Sequence, residues 1–257
     1  MPSVDFQGQA GVIFGVANQH SIAWAIAQAL HQAGARLVIT YQDQRFYDRV
    51  SKLAEGMDNV TLLECDVNQD QHVADVFDQV RQRFTTINFV VHSIAYALRE
   101  DLDGDFSKTS RQGFQTALEV SAYSLIPIAR YAAPLMPQGG SILTVTFQAS
   151  ERVYPGYNIM GTAKAALEHE VRQLAYELGE KNIRVNAVSP GPLETLAARG
   201  IHGFLDMKHI HAERSPLRRN ITQEEVAKAA LFLCSDLSSG ITGTVLPVDA
   251  GYHIMGV

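Results

Sequence analysis

The chain is sparing with the features that would place it outside the ordinary globular classes. Its 257 residues contain two cysteines, Cys65 and Cys234. Two thiols in a chain this long make no disulfide framework, which fits a reducing, cytoplasmic setting. No apolar run approaches the ~20 residues of a membrane span. The stretch Met1-Pro2-Ser3-Val4-Asp5-Phe6 has no basic region leading into an apolar run, so no signal peptide is expected. There is no low-complexity segment and no internal repeat. Positive charge is in deficit, with a formal net charge of −6, which argues against nucleic acid or an anionic membrane as partner. The histidines fall into no metal-ligand spacing. His209 and His211 lie two apart, His20 and His31 are isolated, and all read as surface residues, so no metal is expected. No Gly-x-Ser-x-Gly nucleophile elbow is present.

What is there is a regular grammar. An apolar run over 11–14 ends at Gly15 and leads, through a turn, into a helix marked by Ile22, Trp24, Ile26 and Leu30 and closed by Gly34. A second strand covers 36–40, and this βαβ unit predicts a right-handed crossover. The alternation continues with a helix over 43–54, a strand over 60–64, a helix over 70–84 and a strand over 88–92. A long helix over 110–135, kinked at Pro127, and a strand over 141–147 follow. A helix from Tyr157 to near Gly179, a strand over 183–188, a helix over 222–233 and a strand over 244–248 complete the chain. Thr222 and Glu225 make a capping-box pattern. Strict alternation predicts a single α/β domain over 1–257, a Rossmann-type doubly wound parallel sheet of about seven strands. Residues 194–216 interrupt the pattern. Leu196, Ile201, Phe204, Leu205, Met207 and Ile210 give this excursion an apolar side, and Gly200 and Gly203 offer hinges. It reads either as a lid over an apolar ligand or as a helical excursion packed on its own core.

The chemistry centres on Tyr157 and Lys164, seven residues apart at the start of a helix entered through Pro155 and Gly156. Seven residues are about 700° of rotation, so both side chains leave nearly one face, roughly 10.5 Å apart along the axis. A nearby cation favours the ionised form of a phenol. The alternative is a half-buried tyrosine and a surface lysine that happen to share a face.

Other candidates lie where strands end. Gly15 follows the first strand and opens a helix, where backbone can approach a pyrophosphate; Ala17 and Ser21 stand where further glycines would complete the fingerprint. The second strand ends at Gln42, with neither the acid expected for a bare ribose nor an adjacent cation for a 2′-phosphate, although Arg45 is close. This leans toward NADH over NADPH. Asp66 can accept from an adenine amine or cap a helix. Ile94 and Ala95 can pack along a cofactor, and the backbone from Pro190 onward, with the Thr195 hydroxyl, can hold a nicotinamide amide and pyrophosphate.

Together these residues resemble the short-chain dehydrogenase/reductase superfamily, and within it the enoyl-acyl-carrier-protein reductase branch. The superfamily's usual Tyr and Lys are four apart, an offset that Tyr154, Tyr157 and Tyr176 all lack; the branch has them seven apart. The turn from Gly15 to Trp24 is similar to that branch's cofactor turn. Matching runs start at His92, Ser121, Tyr157, Ile183, Thr195, Pro216 and Gly240. The resemblance implies NADH-dependent reduction of trans-2-enoyl thioesters, on acyl carrier protein or coenzyme A, in type II fatty acid synthesis by a cytoplasmic homotetramer. It implies Tyr157 and Lys164 as catalytic. Cofactor contacts would come from Gly15, Ser21, Ile22, Gln42, Asp66, Val67, Ile94, Lys164, Leu193, Glu194, Thr195, Leu196 and Ala197. Substrate contacts would come from Ala97, Phe147, Tyr157, Met160, Ile201 and Phe204. Two departures stand out: Phe147 where many members have a second tyrosine, and Glu194 where the family run has arginine. A carbonyl reductase of the same superfamily and a catalytically impaired NAD-binding homologue are the alternatives.

Overall fold

The computed structural model describes residues 4–196, 198 and 201–256. Strands β1 (Ala10–Phe14), β2 (Arg36–Tyr41), β3 (Val60–Glu64), β4 (Phe89–His92), β5 (Gly140–Val145), β6 (Ile183–Pro190) and β7 (Val245–Val248) form one sheet in the order β3-β2-β1-β4-β5-β6-β7. All the pairings are parallel. Helices α1 (Ile22–Gln32), α2 (Gln44–Leu53), α3 (Asp70–Phe84), α4 (Arg111–Leu118), α5 (Leu125–Ala132), α6 (Asn158–Gly179), α7 (Phe204–Arg214) and α8 (Gln223–Cys234) connect them.

Side chains alternate across a strand, and the sheet uses both faces. Val12, Phe14, Val90, Ile142 and Val185 pack with Phe77, Leu125, Ile128, Leu167 and Val171 of α3, α5 and α6. Ile13, Leu37, Val91 and Leu143 face the other way, against Trp24, Ile26 and Leu30 of α1 and Val226 and Leu233 of α8. Burial on both sides is why these strands read as unbroken apolar runs. Strand order reverses between β1 and β4, where Phe14 pairs with His92. The crevice beyond that end of the sheet is where ligands bind in open α/β folds.

Two elements differ from expectation. The strand expected over 141–147 ends at Val145, and Phe147 precedes a 3₁₀ turn at Gln148–Ser150. The single helix expected over 110–135 is broken. After α4 the chain widens into a π turn at Glu119–Tyr123, where the Ser124 amide reaches back five residues to the Glu119 carbonyl at 3.2 Å. Pro127 lacks the amide that would bond the Tyr123 carbonyl, so the irregularity falls one turn ahead of the proline. The capping box at Thr222 is present, with Glu225 also held by Arg219 at 2.7 and 2.9 Å.

Candidate active site

Tyr157 is the N-cap of α6, and its ring is half-buried. Gly156 enters the cap with φ +78°, and a side chain there would strike the His202 carbonyl at 2.6 Å. Asn158 also has positive φ, +28°, and its side-chain amide donates to the Gly104 carbonyl at 3.1 Å. Gly156 adopts its φ without strain and Asn158 carries the disfavoured one, so the backbone is held on both sides of Tyr157. Further along α6, Gly161 lets the helix lie against the 3₁₀ turn; a Cβ there would sit 2.8 Å from the Ala149 carbonyl.

Lys164 is buried at 4% exposure, which excludes the surface-lysine reading. Its ammonium donates to the Val145 carbonyl at 2.8 Å. Burial lowers its pKa to about 8, and the charge of Glu168, one turn on, works against that shift. Glu168 is itself buried and accepts from the Thr146 hydroxyl at 2.7 Å. The end of β5 therefore receives two buried charges of α6, the ammonium on Val145 and the carboxylate on Thr146. The fully buried His92 bonds Thr144 through Nδ1 and Ser124 through Nε2, each at 2.8 Å. Desolvation, then the Lys164 charge, lowers its pKa to about 3, so it stays neutral. Ser124 donates to the Val120 carbonyl, which leaves its oxygen to accept from His92 Nε2–H. Sequence reasoning missed Glu168, although its position one turn after Lys164 was a readable signal.

For Tyr157 the outcome differs from the sequence argument. Desolvation raises its pKa above the ordinary phenol value. The hydroxyl therefore keeps its proton at neutral pH and is a hydrogen-bond donor rather than a phenolate.

The crevice brings together most of the residues expected to hold a dinucleotide. Gly15 has φ +99°, and a Cβ there would overlap the Ser93 carbonyl at 2.0 Å, so the turn passes directly over the end of β4. Ser21 takes the place of a further glycine by tying the turn: its Oγ accepts from the amides of Ala17 (3.1 Å) and Asn18 (3.0 Å). Ile22 begins α1, whose positive end faces the turn. Gln42 is exposed just past β2. Arg45 is bound to Asp43 at 2.6 Å beyond it, so this cation is engaged locally. Asp66 does not cap α3, whose N-cap is Gln69; its Oδ1 instead takes the amide and side chain of Asn68 at 3.2 and 2.8 Å. Val67 is buried and Ile94 half-buried against the core. After β6, Leu193 is buried, the Thr195 hydroxyl accepts from the Ala198 amide at 3.2 Å, and Glu194 pairs with Lys208 of α7. Leu196 is exposed, and Ala197 and Gly200 lie outside the described residues. A positive-φ glycine under the first turn, a helix N-terminus and a buried ammonium form a donor set that fits a dinucleotide.

The other side of the crevice is aromatic. Phe147 sits between Tyr154 and Tyr157, with ring centroids 4.8 and 5.0 Å away. Met160 is buried in a small cluster with Leu102, Ile159 and Ala163, against which Ala97 and Tyr157 pack. Ile201 and Phe204 are half-buried at the start of the excursion, while Leu205 is 72% exposed and Ile210 also exposed. His211, expected at the surface, is instead buried, stacked on Tyr252 at 3.6 Å. Its position four residues after Met207 and seven after Phe204, on the apolar face of α7, was a readable sign of burial, whereas its ring partners come from distant parts of the chain. Both cysteines are buried and free. Among the described residues, no group of three or more His, Cys, Asp or Glu could hold a metal, and no helix is long and apolar enough to cross a membrane.

A doubly wound parallel sheet, a glycine turn at its switch point, and a tyrosine and buried lysine sharing the face of the helix after β5 define the short-chain dehydrogenase/reductase class. The chain matches the family described as Enoyl-(Acyl carrier protein) reductase over residues 15–253, and it belongs to that family. It is 50% identical, over 99% of its own length and 100% of the relative's, to enoyl-[acyl-carrier-protein] reductase [NADH] FabI of Nostoc sp.. Among solved structures it is similar to the Bacillus cereus enoyl-acyl carrier protein reductase with NADP+ and indole naphthyridinone. The TM-score is 0.96 at 48% identity, covering 98% of this chain and 100% of that one. The reductase of Anaplasma phagocytophilum in complex with NAD gives a TM-score of 0.94 at 44% identity, covering 98% and 96%.

Proposed function

We propose that the protein reduces trans-2-enoyl thioesters, carried on acyl carrier protein or coenzyme A, to saturated acyl thioesters in type II fatty acid synthesis. NADH, when bound, supplies hydride to the β-carbon. The electrons then move to the thioester oxygen as an enolate, and Tyr157 donates its hydrogen bond to that oxygen. Its raised pKa keeps the donor loaded, and a donor aimed where charge develops is typically worth about 2.7–4 kcal/mol. Lys164 holds the nicotinamide ribose hydroxyls and supplies positive potential, with Val145 and Glu168 fixing its position and charge. Gly15 and the α1 N-terminus take the pyrophosphate, Gln42 the adenosine ribose and Asp66 the adenine amine. Val67, Ile94, Leu193, Glu194, Thr195, Leu196 and Ala197 complete the cofactor side. Ala97, Phe147, Met160, Ile201 and Phe204 bound the acyl chain, and residues 194–216 form its lid within a single domain. Glu194 beside this cleft takes its counter-charge from Lys208. The α-carbon proton comes from water.

One observation carries the reading: an N-cap tyrosine and a buried lysine seven residues along one helix. That spacing suits an oxyanion borne on a carbon two bonds from the one that takes hydride. The family relatives are named NADH-dependent, and the engagement of Arg45 by Asp43 supports the same preference here. We place the protein in the cytoplasm as a homotetramer, as is usual in this branch.

The test mixes the protein with NADH or NADPH and crotonyl or dodecenoyl thioester and follows absorbance at the nicotinamide band, with a ketone panel alongside. Turnover of the enoyl thioesters with NADH is expected. Cofactor binding without turnover, or turnover of ketones alone, would overturn the proposal.

A further inference from the structure

A continuous line of rings crosses the substrate side of the crevice. Tyr252 stacks on His211 at 3.6 Å and 18°; His211 lies 6.0 Å from Tyr154; Tyr154 lies 4.8 Å from Phe147; and Phe147 lies 5.0 Å from Tyr157. These five residues come from the C-terminal turn, α7, the loop before α6, the end of β5 and the α6 cap.

His211 is the link that ordinary packing does not explain. Among the described residues of α7, it alone is buried, at 2% exposure. An apolar side chain would satisfy burial more cheaply, because here Nδ1 is left without a hydrogen-bond partner. What a histidine adds is a flat ring with a donor on its edge. The Tyr154 hydroxyl donates to Gln148 Oε1 at 2.6 Å, so its oxygen faces His211 Nε2 at 3.4 Å as acceptor. The far end of the line is fixed as well. Asp249 takes the amides of Gly251 (3.0 Å) and His253 (2.8 Å) and bonds His253 Nδ1 at 2.9 Å, pinning the turn that carries Tyr252. His211 also borders the loop after β6, where a Cβ on Gly191 would lie 3.7 Å from Nδ1.

We infer that His211 is a positioning residue that anchors α7 to the body of the protein and, through Tyr154 and Phe147, holds the Tyr157 ring in its working orientation. The inference rests on the proposed enoyl reduction for its kinetic consequence, though not for the anchoring. Lid placement and donor placement are then one adjustment. The Phe147 ring transmits it by contact, and the hydroxyl that fixes the line belongs to Tyr154.

The test compares Tyr154→Phe, which keeps the ring and removes the hydroxyl, with His211→Phe, which keeps the stack and removes the donor, and with the double variant. Each single variant is expected to lower kcat about three- to tenfold, the scale of one lost hydrogen bond, with Tyr154→Phe, which also loses the Gln148 bond, at the larger end. KM for the thioester and the NADH dissociation constant, read by fluorescence, should stay within about twofold, and the double variant should be no worse than the weaker single, because residues acting as one unit are not additive. Unchanged kcat in folded variants, losses that multiply, or a rise in KM alone would overturn the inference. A second readout is independent of catalysis: His211→Ala should speed tryptic cleavage within α7, at Lys208 or Arg214, while the rest of the chain stays resistant. Equal cleavage of this variant and the unmodified protein would overturn the anchoring. Failure of the unmodified protein to reduce any enoyl thioester would sink the proposed reaction and leave the cleavage result to decide the anchor.

Discussion

The two sides of the crevice are made of different material. The side proposed for the cofactor is made mostly of backbone: a turn that admits only glycine over Ser93 and the N-terminus of α1, joined by one ammonium seated on a β5 carbonyl. Its parts come from strand ends whose positions the sheet dictates. The substrate side is made of rings. Phe147, Tyr154, Tyr157 and His211 form a chain of ring contacts, and α7, which carries His211, keeps Leu205 and Ile210 exposed. The first side is fixed by topology and tolerates little. The second is fixed by side-chain contact and can be adjusted without disturbing the fold. Tyr157 and Lys164 join the two, because one helix carries both.

The largest expected effect tests that junction. Tyr157→Phe keeps the ring against Phe147 and removes the donor. It should lower kcat by about 10²–10³, the usual loss for one oxyanion donor. NADH affinity, measured by fluorescence titration, should hardly move. A parallel loss of NADH binding would mean that the tyrosine serves the cofactor side, and the division drawn above would fail.

The next effect belongs to Lys164. Its folded pKa, about 8, lies below its ordinary 10.5, so the unfolded chain holds this proton more tightly between those values. Stability from this group is therefore lowest below pH 8 and rises as pH climbs from about 8 toward 10.5. Cofactor binding should run the other way, weakening as the ammonium is lost above pH 8. Lys164→Met should raise the NADH dissociation constant about tenfold at pH 7, the scale of one charge-assisted hydrogen bond of about 1.5 kcal/mol. It should also flatten that pH dependence. An unmodified protein whose NADH affinity stays constant as pH rises from about 7, through the lowered Lys164 value of about 8, to about 9.5, still below the ordinary lysine value, would show that Lys164 does not contact the cofactor.

Gly15→Ala probes the backbone side directly. The added methyl meets the Ser93 carbonyl at 2.0 Å in a conformation with φ +99°. The turn must move, at a cost of about 1–3 kcal/mol for a strained position. NADH binding should weaken severalfold, with thioester specificity unchanged. An alanine variant that binds NADH normally would show that the turn has slack and that backbone does not set this side.

The same contrast explains what could be read in advance. Strand–helix alternation, the placement of Gly15 after β1 and a helix that starts at Tyr157 and carries Lys164 follow from local periodicity, and each is present. What could not be read has partners far along the chain. Whether Lys164 is buried depends on β5 and Glu168. The rings that His211 meets, Tyr252 and Tyr154, lie 41 and 57 residues away. The sign of the Tyr157 shift runs against the sequence argument for a related reason: spacing suggests a nearby cation, whereas the shift comes from desolvation alone, which only packing reveals. The π turn before Pro127 was legible as a defect, but not in type or place.

The smallest expected effect is the most discriminating for the aromatic side. Phe147 is 9% exposed and lies between two phenol rings. Phe147→Tyr adds a hydroxyl where Tyr154 already spends its proton on Gln148. Were the new group left unpaired, it would cost about 1–3 kcal/mol, visible as a lower melting temperature. Because the proposed reaction assigns the transition-state oxygen to Tyr157, kcat should change by less than about threefold, an amount below one hydrogen bond's worth. A tenfold rise would mean that a second donor reaches the developing charge and that this side of the crevice is electrostatic after all. A tenfold fall with unchanged stability would mean that the spacing of rings, rather than the identity of the donor, limits the reaction, which is the same dependence that His211 is inferred to control from the far end of the stack.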